Sequence, residues 1–333
     1  QADRVPHPSL LEVKKVYQPI KVEAVDLPNG RLVVRNKHFF TDLSSFEGRW
    51  KLHDEGKVIA SGKLPGLNTP PGEKTEITIP LSSFLTERTY SHLVLDVFFV
   101  LPRDTKWAKA GHEVAWDQFV IAESPRAARH GSAPLELVQT SESITVTGQG
   151  ISIRINARNG QLESYRANGL ELISAPLVPN TWRVPNDNQY RNDFEKRYAL
   201  WKDAAKTREV RSVTAVRKSE SVVEVVAKMT LPKDLADYTM TYTIDSGGID
   251  IKVEFSPSAN LTGFMPRLGT RMAIPKSINR VMWYGRGWHE NYWDRKTGAR
   301  FGNYFAERVE DLVYPYPRSQ QNGNRTDVRW LSF

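Results

Sequence analysis

Between positions 283 and 295 the chain reads Trp283-Tyr284-Gly285-Arg286-Gly287-Trp288-His289-Glu290-Asn291-Tyr292-Trp293-Asp294-Arg295, with three tryptophans in eleven positions. An indole face suits the apolar side of a sugar ring, Glu, Asn, Asp and Arg suit its hydroxyls, and Gly285 and Gly287 let backbone come close to a partner. The chemistry suggested is saccharide binding. The same residues also describe a folded loop, in which Glu290 and Asp294 pair with Arg286 and Arg295 and the tryptophans plug the end of a sandwich. On the residues alone this packing role is favoured. Two further polar loops carry the same ambiguity. Trp182-Arg183-Val184-Pro185-Asn186-Asp187-Asn188-Gln189-Tyr190 offers Asp187 and Asn188 either to a ligand or to capping and turn formation. The stretch from Gln320 to Trp330 leads into a final strand.

Other chemistries are disfavoured. No His pair has the His-Glu-x-x-His spacing of a zinc site, and there is no Gly-x-Ser-x-Gly elbow or glycine-rich phosphate loop after a strand. The chain has no cysteine, which removes disulfides, thiolate nucleophiles and Cys-ligated zinc but leaves the compartment open. Lys+Arg total 46 against 38 Asp+Glu, a net charge of +8, yet the basic residues are scattered rather than clustered with aromatics. Solvated surface is expected, with no nucleic-acid partner. No run of about 18 apolar residues and no charged-then-apolar leader is present, so a soluble chain without a membrane partner is expected.

The elements that must position these loops are strands. At ~150 residues per domain, 333 residues suggest two domains. Apolar residues alternate at Ile77 and Ile79, at Ile151, Ile153 and Ile155, at Met240, Tyr242 and Ile244, and at Ile249, Ile251, Val253 and Phe255. That period of two puts one face on a core and the other in water. Leu93 to Leu101 is nearly all apolar, as a central strand buried on both faces would be. Turn signals such as Pro28-Asn29-Gly30 and Ser246-Gly247-Gly248 separate the strands, and the whole predicts sandwiches. Ser124 to Pro134 has linker composition. One helix is expected over Asn192–Lys206, with Phe194, Tyr198 and Trp201 on one side and Asp187 and Asn192 as candidate caps.

In order and spacing, the three loops resemble the terminal, small-chain domain of glycoside hydrolase family 2 beta-galactosidases. Trp182 to Asn188, then Arg197, Leu200, Trp201 and Lys202, match the first pattern. Gly285 to Arg295 match the second, with Trp288 at its usual proline. Asn322 to Trp330 match the third, with Ser319 and Gln321 replacing its Pro and Glu. Ala2 to Leu10 resembles the exit from that family's catalytic barrel.

The resemblance implies an all-β chain, itself cut at both ends: an immunoglobulin-like β-sandwich over 1–125, a linker at 126–134, and a larger galactose-mutarotase-like β-sandwich over 135–333, truncated at its C-terminus. It implies a bacterial enzyme, cytoplasmic or periplasmic, that hydrolyses terminal β-D-galactosides with retention, which needs two carboxyl groups about 5 Å apart. Both glutamates and the magnesium would belong to the barrel, leaving no catalytic residue and no cofactor here. Asp187, Asn188, Trp201, Trp288 and Glu290 are then candidates for lining the sugar site, and the implied partners are the barrel, a β-galactoside or oligosaccharide, and further copies in a homo-oligomer. A stand-alone carbohydrate-binding module and a purely structural scaffold for oligomer contacts are the other function classes.

Overall fold

The computed structural model of the chain describes residues 4–85, 89–124 and 131–333. Strands hold 45% of the residues and helices 13%, so the chain is all-β, as expected. It forms two compact units. One falls within Gln1–Arg126, Arg280–Pro315 and Asn322–Phe333, the other within Ala127–Asn279 and Tyr316–Gln321. Residues 125–130 of the expected linker lie outside the described residues, as does the start of the expected barrel exit.

The first unit opens with α1 (Pro8–Tyr17), whose proline stands at the helix start, where a missing N–H costs nothing. Seven strands follow: β1 (Ile20–Asp26), β2 (Arg31–Asn36), β3 (Glu47–Asp54), β4 (Lys57–Lys63), β5 (Lys74–Thr78), β6 (His92–Val100) and β7 (Glu113–Glu123), with the short α2 (Ser82–Leu85) before β6. They pair antiparallel in two sheets, β1-β2-β5 and β4-β3-β6-β7. Ile20, Val22, Leu32, Val34 and Ile77 of one sheet share a buried core with Trp50, Leu52, Leu93, Leu95, Val97 and Phe99 of the other. The period of two is what sends these residues to a common face. β6 lies between β3 and β7 with Val94 and Val100 buried as well, which accounts for its nearly continuous apolar run.

The second unit is a larger sandwich. Its strands are β8 (Glu136–Gln139), β9 (Ser143–Gly148), β10 (Ile151–Asn156), β11 (Leu162–Ala167), β12 (Leu170–Glu171), β13 (Ala175–Pro179), β14 (Glu209–Ser219), β15 (Val222–Thr230), β16 (Ala236–Asp245), β17 (Gly248–Pro257) and β18 (Thr270–Ala273). One sheet runs β18-β13-β11-β10-β9-β8, with β12 paired to β11, and the other β14-β15-β16-β17. Ile144, Val146, Ile153, Ile155 and Leu162 pack with Val223, Val225, Tyr238, Met240 and Tyr242. Tyr242 is fully buried and donates its hydroxyl to the Gly160 carbonyl at 2.8 Å, so its polar end is satisfied inside an apolar core. β17 departs from expectation: it forms, but as an edge strand, and Ile251 and Val253 are exposed rather than covered.

The expected single helix is also corrected. After the one-turn α3 (Asp187–Tyr190), two short helices replace it: α4 (Phe194–Arg197) and α5 (Ala199–Thr207). Asp193 adopts the left-handed conformation at φ 52°, and Tyr198 leaves helical geometry at φ −116°. Asp and Asn tolerate the left-handed region and favour local turns, and positions 186–193 are rich in both. The cap is Asn186, which accepts from the Gln189 N–H in a capping box, so Asp187 is the first helical residue rather than the cap. Asn192 instead donates to the Asn188 carbonyl at 3.1 Å.

The chain then contributes β19 (Val281–Gly287), β20 (Arg300–Ala306) and β21 (Trp330–Ser332) to the first unit, in the order β20-β19-β21. The Gln118 side chain on β7 accepts from the Phe301 N–H at 2.8 Å and donates to the Phe301 carbonyl at 3.1 Å and to Asp96 at 2.7 Å. Arg329 pairs with Glu123 at 2.8 Å, and His92 Nδ1 shares a 2.7 Å hydrogen bond with the buried Tyr284 hydroxyl.

Burial lowers the His92 pKa, Arg329 and His53 reinforce the shift, and Glu123 and Asp54 oppose it. An unfolded His titrates near ~6.5 and binds its proton more readily than folded His92, so acidification favours the unfolded state. The expected result is a falling unfolding free energy as pH drops from about 6.5, with a smaller fall in His92→Gln. Urea titrations at several pH values measure it; an equal pH slope in both proteins would remove His92 as the cause.

Candidate functional site

In the second unit the first loop stands on an aromatic base. Trp201 and Phe194 are buried, and Trp182, Phe194, Tyr198 and Phe264 form a chain of ring contacts with centroids 4.9–6.4 Å apart. The Thr181 hydroxyl donates to the Trp201 carbonyl at 2.8 Å, which fixes α5 against the strand before it. On this base Asp187 is partly exposed and Asn188 exposed. Arg318 donates to Asp187 Oδ1 at 2.8 Å while its guanidinium lies 4.6 Å over the Tyr190 ring, and the Asp187 N–H donates to Gln320 Oε1 at 3.2 Å. The loop therefore presents a carboxylate in a fixed place with one oxygen already engaged. Trp201 lies beneath that surface as core and offers no ring face to solvent.

In the first unit the second and third loops interlock. Asn291 is fully buried; its Oδ1 accepts from the Thr326 N–H at 2.8 Å and the Thr326 hydroxyl at 2.5 Å, and its Nδ2 donates to the His289 carbonyl at 3.0 Å. Glu290 is 3% exposed and accepts from Arg295 at 2.7 Å on one oxygen and from the Gly323 N–H at 2.7 Å on the other. Arg286 turns to Asp327 at 2.6 Å, with Lys296 joining at 3.0 Å, and also donates to the Ala299 carbonyl. Burial alone would raise the Asp327 pKa, but these two donors outweigh it and hold the carboxyl below its ordinary value.

Sequence expectations divide here. Glu290 pairs with Arg295 as the packing role required, whereas Arg286 meets Asp327 rather than Glu290 or Asp294, and Asp294 is exposed. Only Trp283 of the three tryptophans is buried; Trp288 is 67% and Trp293 81% exposed. The two glycines do serve close approach, but to protein. A Cβ on Gly285 would lie 2.8 Å from Val328 Cα, and one on Gly287 would lie 2.9 Å from the Tyr304 ring. The peptide between Gly287 and Trp288 is cis.

Arg318 was not legible as a partner for Asp187, since the two are 131 residues apart and no pattern links them. Among the described residues no three His, Asp or Glu side chains converge as a ligand set for a metal ion, and no helix is long and apolar enough to cross a membrane.

Two antiparallel sandwiches carrying braced polar and aromatic loops define a modular all-β protein. Comparison with known families gives it a place: the beta galactosidase small chain matches residues 147–333, and beta-galactosidase domain 4 matches residues 32–122. The chain belongs to the beta-galactosidase family and corresponds to the C-terminal region of such an enzyme. The beta-galactosidase of Priestia megaterium is 35% identical over 334 residues, covering 99% of this chain and 32% of its own length. Those of Lactobacillus delbrueckii subsp. bulgaricus and Streptococcus thermophilus are each 30% identical over 331 residues, covering 99% and 98% of this chain and 32% and 31% of their own lengths. The chain thus spans about a third of the length of the curated relatives it matches.

Proposed function

We propose that this chain is the non-catalytic part of an enzyme that hydrolyses terminal β-D-galactosides with retention, and that its Asp187 loop supplies one wall of the sugar site. The observation that carries this reading is a partly exposed carboxylate, Asp187, held in place by Arg318 beside the exposed Asn188 on a base of buried Trp201 and Phe194. Rigid support under a few placed polar groups is what recognition of hydroxyls requires. Glu290 acts at one remove, since protein donors engage both its oxygens. The two catalytic carboxyls and the magnesium reside in the barrel of the whole enzyme, which is the chain's partner.

In the whole enzyme carrying this chain, Asp187→Ala and Asn188→Ala are expected to raise KM or lower kcat by about tenfold, the value of one well-placed hydrogen bond to a charged or oriented group. The thermal midpoint of the isolated chain should barely move, because the exposed Arg318–Asp187 pair contributes about 1 kcal/mol at most. Matched losses of stability and activity would assign the loop to folding alone.

A further inference from the structure

The first unit holds a cleft of about 350 Å³ bounded by α1, the start of β7 and the turn that follows β19. Its walls are built closely. A Cβ on Gly298 would lie 2.8 Å from the Leu11 carbonyl oxygen and 3.0 Å from Glu12 Cα, so glycine there lets α1 rest on the turn. Glu12 then accepts from the Thr297 and Gly298 N–H groups at 3.1 and 2.6 Å. Along the cleft, Lys15 of α1 and Arg300 of β20 sit 4.2 and 4.1 Å from the Trp116 ring centre; Lys15 is held by Asp117 at 2.6 Å and Arg300 by Glu113 at 2.6 Å.

Two buried side-chain nitrogens along this cleft make no hydrogen bond within the protein. His289 is 93% buried, its Nδ1 has no hydrogen-bond partner, and neither does the buried Nε of Arg300. Unpaired buried donors and acceptors cost free energy, which a hydroxyl brought to them would recover. Trp288 leaves its indole 67% exposed at the cleft, and the Glu290 and Asn291 network makes no use of it.

The lining decides the ligand's chemistry. Glu113 disfavours an anion, and Lys15 and Arg300 disfavour a cation. A neutral hydroxyl-rich molecule uses both, because each hydroxyl donates and accepts. The exposed indole adds a flat apolar surface, and the volume falls at the lower end of the ~300–1,000 Å³ typical of ligand sites. We propose that this cleft binds one neutral pyranose unit of an oligosaccharide, with Trp288 against the ring and Glu113, His289 and Arg300 taking its hydroxyls. It uses neither Asp187 nor Asn188, and so stands independently of the sugar-site wall proposed above.

The test titrates lactose into the full 333-residue chain, followed by tryptophan fluorescence and calorimetry. Saturable binding is expected, weakened about tenfold by Trp288→Ala and about threefold by Glu113→Gln. Because Trp288 is exposed, its variant should keep the wild-type circular dichroism. Absence of saturable binding, or equal binding by Trp288→Ala, overturns the site. Loss in Asp187→Ala with none in Trp288→Ala would move the binding to the other loop and also overturn it. Galacturonate should bind more weakly than galactose; the reverse order contradicts a neutral ligand.

Discussion

Replacing Asn291 with alanine is expected to cost the chain roughly 3–5 kcal/mol, the largest loss from any single polar side chain in these loops. The side chain is fully buried and serves three groups at once: the Thr326 N–H, the Thr326 hydroxyl and the His289 carbonyl. Alanine leaves them unsatisfied where water has no ready access, and each costs about 1–3 kcal/mol. Thr326→Val is the internal control. It removes the hydroxyl but keeps the backbone bond to Asn291, so about 1 kcal/mol is expected. Urea titration with tryptophan fluorescence reads both, since Trp283 lies buried in the same unit. A midpoint for Asn291→Ala no lower than that of Thr326→Val would show that the loops are not joined through this amide.

Glu290→Ala comes second, at about 3 kcal/mol. Breaking a buried ion pair from one side costs ~3–5 kcal/mol because the partner charge stays behind, and the lower end applies because Arg295 is about a quarter exposed. The Gly323 N–H is stranded as well. Glu290→Gln retains an acceptor and should lose about half as much. This pair of variants also separates positioning from catalysis. If Glu290 were an acid or nucleophile, Glu290→Gln would abolish turnover in the whole enzyme with little loss of stability. The expected pattern is the opposite, with turnover falling only as far as folding does.

The strands were legible because period-two alternation depends on nearest neighbours alone, and Ile151–Ile155 and Met240–Ile244 stand where that alternation puts them. The run from Leu93 was legible for a related reason, since a strand inside a sheet needs apolar residues on both faces. The helix over 192–206 failed because the spacing of Phe194, Tyr198 and Trp201 serves a ring cluster, joined by the first two, and a core position, filled by Trp201, equally well across a break at Tyr198. The three loops announced polar and aromatic chemistry, but their pairings are long-range: Arg286 meets Asp327 and Asp187 meets Arg318 across 41 and 131 residues. Nothing local distinguishes such partners from other charges. The Trp288 cleft was less legible still, because α1, β7 and the turn after β19 contribute residues from distant parts of the sequence with no common motif.

We propose that the catalytic carboxyls of the whole beta-galactosidase lie outside this chain. Hydrolysis of a nitrophenyl β-galactoside tests it most directly, measured on the purified chain and on the whole enzyme side by side. Turnover is expected from the whole enzyme, and none above buffer from the chain. Turnover by the chain alone, abolished by replacing one of its own carboxylates such as Asp187 or Glu290, would contradict it.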